Sequence, residues 1–437
     1  MQSDRSNLLK IRKLKVNNFR CFGEHEFELS DEFNVLVGAN ESGKTAVLDA
    51  LATGLVPVCR GLGTDPDRHA ELAADDVRRV TYPGRSVERQ LPARLCWVLQ
   101  LNRELAQWET SIERSGSPQG NPGRVEAAML ATSTAVGGGE DVVLPVVCYY
   151  PAERQTGTMA GGDARKYAPG PRASGYHMCM RPSLREESFL HWFAALEMDS
   201  WQVGRTAPGL AAVKAAVTSC IPHCRDVLYR AIEASVVAVL AEGRELPFRM
   251  LSHGVKNVLA MVADIAWRSF VLNPHFGEAA PAETPGVVLV DEIDLHLHPT
   301  WQRTVVDDLR RTFPRVQFIA TTHSPFIIQS LEPGELINLD EREPAEYSDQ
   351  PIEDIIENVQ GVEEPQVSTR RRQMMKAAQR YFEVLEQAEK APPHEKERLK
   401  RELDELSRPF SDNVAYHASL AFMEAKREAA GLGDGES

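Results

Sequence analysis

Short, wholly apolar runs recur along most of this chain, and each is bounded by loop residues. Phe33–Val37 (FNVLV), Val143–Tyr150 (VLPVVCYY), the VVLV that opens Val287–Asp294 and Arg315–Thr322 (RVQFIATT) all fit this description. Runs so short and so uniformly apolar predict buried strands. Helical composition follows at Ala46–Leu51, at Val255–Arg268 and through a block from Glu186 to Ala241, where Trp192, Phe193, Leu196 and Met198 read as core. Between these, Arg114–Gly139 is low in complexity and reads as a surface loop or hairpin tip, and Thr156–Pro182 reads as irregular. The pattern changes near Pro344. Pro351–Val359 has helix spacing, and Ser368–Lys390 carries a stripe of Met375, Ala378, Phe382 and Leu385. Ala391, Pro392 and Pro393 break that helix; Glu395–Ser407 resumes with Leu399, Leu403 and Leu406 in line, and a third helix runs from about Asp412 to Ala430.

Two of the strands end in chemistry. After Phe33–Val37 comes Gly38–Thr45, GANESGKT, which fits the G-x-x-x-x-G-K-[ST] phosphate loop between a strand and a helix. Gly38 and Gly43 let backbone N–H groups turn inward around a β-phosphate, where the helix dipole also favours negative charge. Asn40, Glu41 and Ser42 between them, and Ala46 after them, complete the nucleotide-binding stretch. Lys44 is placed to reach the β- and γ-phosphates, and the Thr45 hydroxyl to take a Mg²⁺ position. The acidic strand VVLVDEID supplies the other half. Asp291 is expected to hold Mg²⁺ through water, and Glu292 to accept a proton from the attacking water. A buried strand that ends in two adjacent acids is costly without a cation.

Further signals come in order. His323 ends the strand Arg315–Thr322, where an imidazole can hydrogen-bond a γ-phosphate. Leu251–Gly254 (LSHG) opens a helical run, so the Ser252 hydroxyl and Gly254 backbone can meet a phosphate at a helix N-terminus. The strand Val143–Tyr150 ends in PAERQ, which makes Glu153, Arg154 and Gln155 candidates for a Mg²⁺ or water contact, with Arg154 or Gln155 favoured.

Composition narrows the setting. Seven scattered cysteines in 437 residues indicate a reducing compartment without a disulfide framework. Cys220, His223 and Cys224 lie close together, but their spacing matches no standard zinc pattern. No apolar stretch approaches the ~20 residues of a membrane helix and no signal peptide is read at the start, so a cytoplasmic protein with no membrane partner is expected. The net charge of −14 opposes nucleic-acid binding by the whole surface. Contact with nucleic acid is then indirect or through a local basic patch: Arg370, Arg371 and Arg372 with Lys376 and Arg380, or Arg165, Lys166 and Arg172.

The ordered set GANESGKT, LSHGVKN, VVLVDEIDLHLHP and TTHSP resembles the ABC-type ATPase head shared by SMC proteins, RecF-like and double-strand-break repair proteins and OLD-type ATPases. The opening IRKLKVNNFRCF is similar to the first strand of these heads. The resemblance implies an α/β P-loop NTPase fold, an ABC/SMC-like head with a mixed sheet and helical insertion, plus a C-terminal helical appendage. It implies that Arg20, and Cys21 through its backbone, contact phosphate. It also implies that Ser252 and Gly254 bind the γ-phosphate of ATP held by a second subunit, that Asp294 lies at the dimer seam, and that His323 is the switch histidine. A head dimer, possibly a higher oligomer, follows from the resemblance alone. Two positions depart from the pattern: His253 stands where a small residue is usual, and Val255 where transporters carry Gln.

The expected organisation is an N-terminal lobe over 1–155, an irregular and helical insertion over 156–250, a C-terminal lobe over 251–343 and a helical tail over 344–437 for partner docking. Transporter ATPases place their two motifs roughly half as far apart and couple to membrane spans, which disfavours that class. No Toprim, HNH or restriction-type cluster follows Leu331, so no intrinsic nuclease is expected. A stand-alone head with such a tail is similar to the ATPase subunits of Septu antiphage systems and of retron-associated ATPase–HNH pairs. Their likeness extends to YYPAERQ and to LSRPFSDNVAYHASLAFMEAKR. This implies an ATP- and Mg²⁺-dependent ATPase that gates a partner HNH nuclease. The alternative is a RecF/SMC-like DNA repair ATPase that acts without a nuclease.

Overall fold

The four apolar runs do become strands, and they assemble side by side. In a computed structural model of the chain the described residues are 9–64, 71–82, 87–114, 117–152, 170–180, 186–204, 206–221, 224–233, 235–340, 347, 350–362 and 364–390, with scattered positions beyond. A five-stranded parallel sheet has the order Leu336–Asn338, Phe33–Val37, Val316–Thr321, Gly286–Val290 and Val146–Tyr150. Every residue of these strands except those of the edge strand Leu336–Asn338 is buried, the signature of a parallel sheet covered on both faces. The phosphate loop and the acidic turn therefore emerge from one sheet edge, where parallel strands all end together.

A second, antiparallel sheet has the order Phe22–Glu28, Leu9–Phe19, Ala93–Leu101, Glu104–Ile112 and Pro118–Gly120. Burial alternates along Ala93–Leu101, so only one face meets the core. On that face Trp97 and Trp108 are cross-strand partners whose rings stack at 4.2 Å. Their indole N–H groups donate to the carbonyls of Ala50 (3.0 Å) and Gly54 (3.3 Å) on the helix Lys44–Gly61. Gly54 is needed there, since a Cβ would lie 2.5 Å from the Trp97 ring. The helix that begins at the phosphate loop is thus clamped between the two sheets. The expected α/β P-loop architecture is borne out, with parallel and antiparallel pairings in separate sheets.

Several local expectations need correction. The helical block beginning at Glu186 holds for Glu186–Val203 and Pro208–Cys220, but Cys224–Arg230, Ser235–Leu240 and Glu245–Pro247 form a three-stranded antiparallel sheet. Arg114–Gly139 contains a helix, Gly123–Gly137, whose Val125 and Met129 are buried. Thr156–Pro182 lies largely outside the described residues.

The helix His253–Leu272 is buried along almost its whole length. Inside it, Arg268 donates to Asp264 at 2.7 Å and to the carbonyls of Gly175 (2.7 Å) and His177 (2.9 Å). Asp264 also accepts from the Tyr150 hydroxyl at 2.8 Å. Two fully desolvated charges are held because each has a partner of the right sign and several hydrogen bonds.

The chain divides into two compact units, Met1–Gln360 and Gly361–Ser437. In the second, the helix Thr369–Lys390 buries Met374, Ala378 and Val384, and Tyr416 joins the first two in a small cluster. The expected stripe is displaced by one residue at its start: Met375 is 47% exposed and Met374 takes the inward position. The side chains of Phe382 and Leu385 lie outside the described residues, as do most of the two helices expected after Pro393. Among the described residues no helix is long and apolar enough to cross a membrane.

Replacing Arg268 with Ala leaves the Asp264 carboxylate buried without its countercharge. Denaturant unfolding is expected to show a loss of about 3–5 kcal/mol. Arg268→Lys should recover only part of it, because one ammonium cannot reach the carboxylate and both carbonyls in the guanidinium's planar fork.

Candidate functional site

Residues far apart in sequence meet where the parallel strands end. Thr45, the last residue of the phosphate loop, donates its hydroxyl to Asp291 Oδ2 at 2.9 Å across 246 residues of sequence. Thr321 donates to Asp291 Oδ1 at 2.6 Å, and its own oxygen accepts from the Glu292 backbone N–H at 2.7 Å. Asp291 is only 4% exposed. The residue predicted to hold a cation is therefore fixed between two hydroxyls. Thr45 Oγ1 and the Asp291 carboxylate form the hard oxygen donor set that Mg²⁺ prefers, and burial of that carboxylate favours a compensating cation.

The loop itself is shaped by positive φ angles. Gly43, with φ 100°, precedes the helix, and Glu41 adopts φ 72°. A Cβ at Gly43 would lie 2.5 Å from Cys21 Sγ and 2.6 Å from the Phe22 ring, so glycine lets the N-terminal hairpin close over the loop. The Lys44 ammonium donates to the carbonyls of Gly38 and Ala39, both at 2.9 Å. Its pKa is lowered, chiefly by burial, against the opposing pull of Asp340, Asp291, Glu292 and Asp294. Asn40, Ser42 and Ala46 sit within the same loop and the first turn of its helix.

Glu292 follows Asp291 in a left-handed turn with φ 50°, and its side chain is half-buried. Asp294 accepts from the Thr322 hydroxyl at 2.6 Å, tying the acidic turn to the strand that leads into His323. His323 is exposed, and its backbone carbonyl accepts from the Gln360 side chain at 2.8 Å.

Ser252 caps the helix His253–Leu272, accepting from the Val255 N–H at 3.4 Å. Ser252 and His253 are exposed while Gly254 is buried. A Cβ on Gly254 would run into the carbonyl of His296, so this glycine admits close packing against the loop that follows Asp294.

The remaining expected residues lie beside the loop or outside the described residues. Arg20 donates to Asp49 (2.5 Å) and Asp76 (2.8 Å), and Asp49 also accepts from the Tyr149 hydroxyl at 2.7 Å. Its guanidinium thus braces the helix after the phosphate loop. Cys21 Sγ lies 3.9 Å from the Ser42 carbonyl. Glu153, Arg154 and Gln155 lie outside the described residues, as do Arg165, Lys166 and His223. Among the described residues no group of three His, Cys, Asp or Glu side chains is arranged to hold a metal. Sequence reasoning missed Thr321, Asp49, Tyr149 and Asp340. Thr321 stood in plain view beside His323, whereas nothing in the local sequence marks Asp340.

Two family descriptions match the two halves of this site. One, an AAA domain, matches residues 13–114; the other, an AAA domain described as a putative AbiEii toxin of a type IV TA system, matches 238–329. The retron Vc95 probable ATPase of Vibrio cholerae serotype O1 biovar El Tor is 24% identical over 380 residues, 74% of this chain and 72% of that one. The Septu protein PtuA of Bacillus mycoides (strain KBAB4) is 39% identical over 102 residues, 22% of this chain and 13% of that one. The Smc head domain with an extended coiled coil from Pyrococcus furiosus aligns over 76% of this chain and 93% of its own, at TM-score 0.44 and 16% identity. The chain is an ATPase whose phosphate loop and acidic turn each lie in a segment that matches an AAA domain, and it resembles the retron Vc95 probable ATPase and, over a shorter stretch, PtuA.

Proposed function

We propose that this chain is the ATP-binding and ATP-hydrolysing regulatory subunit of an antiphage defence complex, in which a head dimer sandwiches ATP and gates a partner HNH nuclease. The observation that carries the catalytic part is the Thr45–Asp291–Thr321 cluster, which brings the phosphate loop and the acidic turn into hydrogen-bonding contact. The likeness to a retron ATPase along most of the chain, and to PtuA over a shorter stretch, supports the defence setting.

Within this reading each residue has a task. Lys44 leaves the carbonyls of Gly38 and Ala39 for the β- and γ-phosphates, while the N–H groups of the loop from Asn40 to Ala46 cradle the β-phosphate. Thr45 and Asp291 would hold Mg²⁺, which would supply charge neutralisation at the phosphates when bound. Glu292 takes the proton of the attacking water, and Thr321 fixes the Glu292 backbone through its N–H. His323 senses the γ-phosphate. The exposed Ser252 is available to a nucleotide on a second copy, whereas the buried Gly254 acts by letting that loop pack closely. The partner nuclease is assigned to the tail unit beginning at Gly361.

The repair alternative is less well supported. Within the candidate DNA-binding patch Arg372 pairs with Glu364, and Arg380 with Glu383 and Glu402, so two of its five cations are already paired with carboxylates.

Glu292→Gln is expected to retain ATP binding and to lower the rate of phosphate release by about a hundredfold or more, because the base is removed and its shape kept. Gel filtration with ATP should show the variant held as a dimer. Normal turnover would remove Glu292 from the mechanism. The regulatory part is tested by co-purifying the chain with the product of any HNH-nuclease gene found next to its own and measuring DNA cleavage with ATP, without ATP and with the Glu292→Gln chain. Cleavage should differ between these conditions; a rate indifferent to all three would refute gating.

A further inference from the structure

Asp340 closes the phosphate loop from the side opposite Asp291. It lies just beyond the edge strand Leu336–Asn338, which pairs in parallel with Phe33–Val37 through Asn338 and Val37. The Leu339 N–H continues the ladder to the Val37 carbonyl at 2.9 Å. At the next step the side chain takes over: both Asp340 carboxylate oxygens lie 3.0 Å from the Ala39 N–H. The position is held from behind. The Asp340 N–H donates to Asn338 Oδ1 at 3.0 Å, and Asn338 in turn donates to the Val359 carbonyl at 3.1 Å. A Cβ on Gly38 would lie 3.2 Å from Asp340 Oδ1, so the loop passes directly over the carboxylate.

An acid here is electrostatically unexpected. A phosphate loop gathers N–H groups, a helix N-terminus and a lysine to attract a polyanion. Asp340 places a fixed negative charge on the peptide of Ala39, whose carbonyl at the same time holds the Lys44 ammonium. Among the carboxylates acting on Lys44 it contributes most, ahead of Asp291, Glu292 and Asp294. A neutral acceptor would satisfy the Ala39 N–H equally well, so the charge itself calls for a role.

We infer that Asp340 is a specificity-determining residue of the phosphate loop, whose carboxylate biases the site toward the magnesium-bound triphosphate and against free ATP. The inference rests on the nucleotide-binding reading of the loop. Free ATP carries about two more negative charges than its magnesium complex, so a nearby carboxylate penalises it more. The bias keeps the loop from filling with a nucleotide that lacks the cation Asp291 and Thr45 are built to share.

The test measures affinity for a fluorescent ATP analogue by the full chain, in magnesium and in EDTA, at fixed ionic strength. Asp340→Asn keeps an acceptor oxygen for Ala39 and removes the charge; Asp340→Ser, also with an acceptor, is the second variant should the first unfold. The variant is expected to bind the analogue about tenfold more tightly in EDTA and about threefold more tightly in magnesium, so the preference for the magnesium complex shrinks about threefold. Raised salt should narrow the gap between variant and wild type. An unchanged ratio of the two affinities, or equal weakening in both media, would make Asp340 a structural acceptor only and overturn the inference. A wild-type chain that binds in neither medium would instead overturn the nucleotide reading on which it stands.

Discussion

The Asp291 carboxylate is the point on which this molecule turns. It receives one hydroxyl from the phosphate loop and one from the neighbouring strand, so three segments must arrive within hydrogen-bonding distance of one buried anion. The geometry tolerates little error, because a charge this deep is costly unless each oxygen is satisfied. The parallel sheet provides the accuracy. Its strands are buried throughout and paired residue by residue, with Val290 beside Ala320 and Tyr150, which fixes the height at which each chain leaves the sheet. The antiparallel sheet adds a brace: two stacked tryptophans grip the helix that starts at Lys44 beyond its first turn, at the carbonyls of Ala50 and Gly54.

Much of this was legible because the requirement is local. A phosphate loop needs glycine at Gly43, where φ is positive and the N-terminal hairpin closes in, and no neighbour can substitute for that freedom. Apolar runs of strand length, two of them bounded by a glycine loop or a pair of acids, admit few other readings. The pairing of Thr45 with Asp291 followed from their chemistry although 246 residues separate them.

What escaped depended on partners elsewhere in the chain. Cys224–Leu240 has an apolar content that suits a helix or a hairpin equally, and only pairing such as Val227 with Ala238 decides it. Gly123–Gly137 looked like a loop because its flanks are glycine and proline, yet Val125 and Met129 anchor it to the core. In the tail helix, adjacent methionines left the inward position ambiguous by one residue, and packing around Ala378 chose Met374. The acids that pair with Arg20, Asp49 and Asp76, are likewise invisible until the sheets pack.

The buried link from Tyr150 through Asp264 to Arg268 has a consequence for the length of chain it encloses. Tyr150 ends the strand at which the catalytic sheet is left, and Asp264 lies on the helix by which the chain returns, 114 residues later. A bond between exit and return closes the base of everything inserted between them. Loop closure over a longer insertion costs little more than over a shorter one, since its entropy grows only logarithmically with length. Length can therefore be added at exposed positions of this segment at little entropic cost, whereas Gly175 and His177, whose carbonyls Arg268 holds, and Ser252 and Gly254 near the acidic turn are fixed points within it.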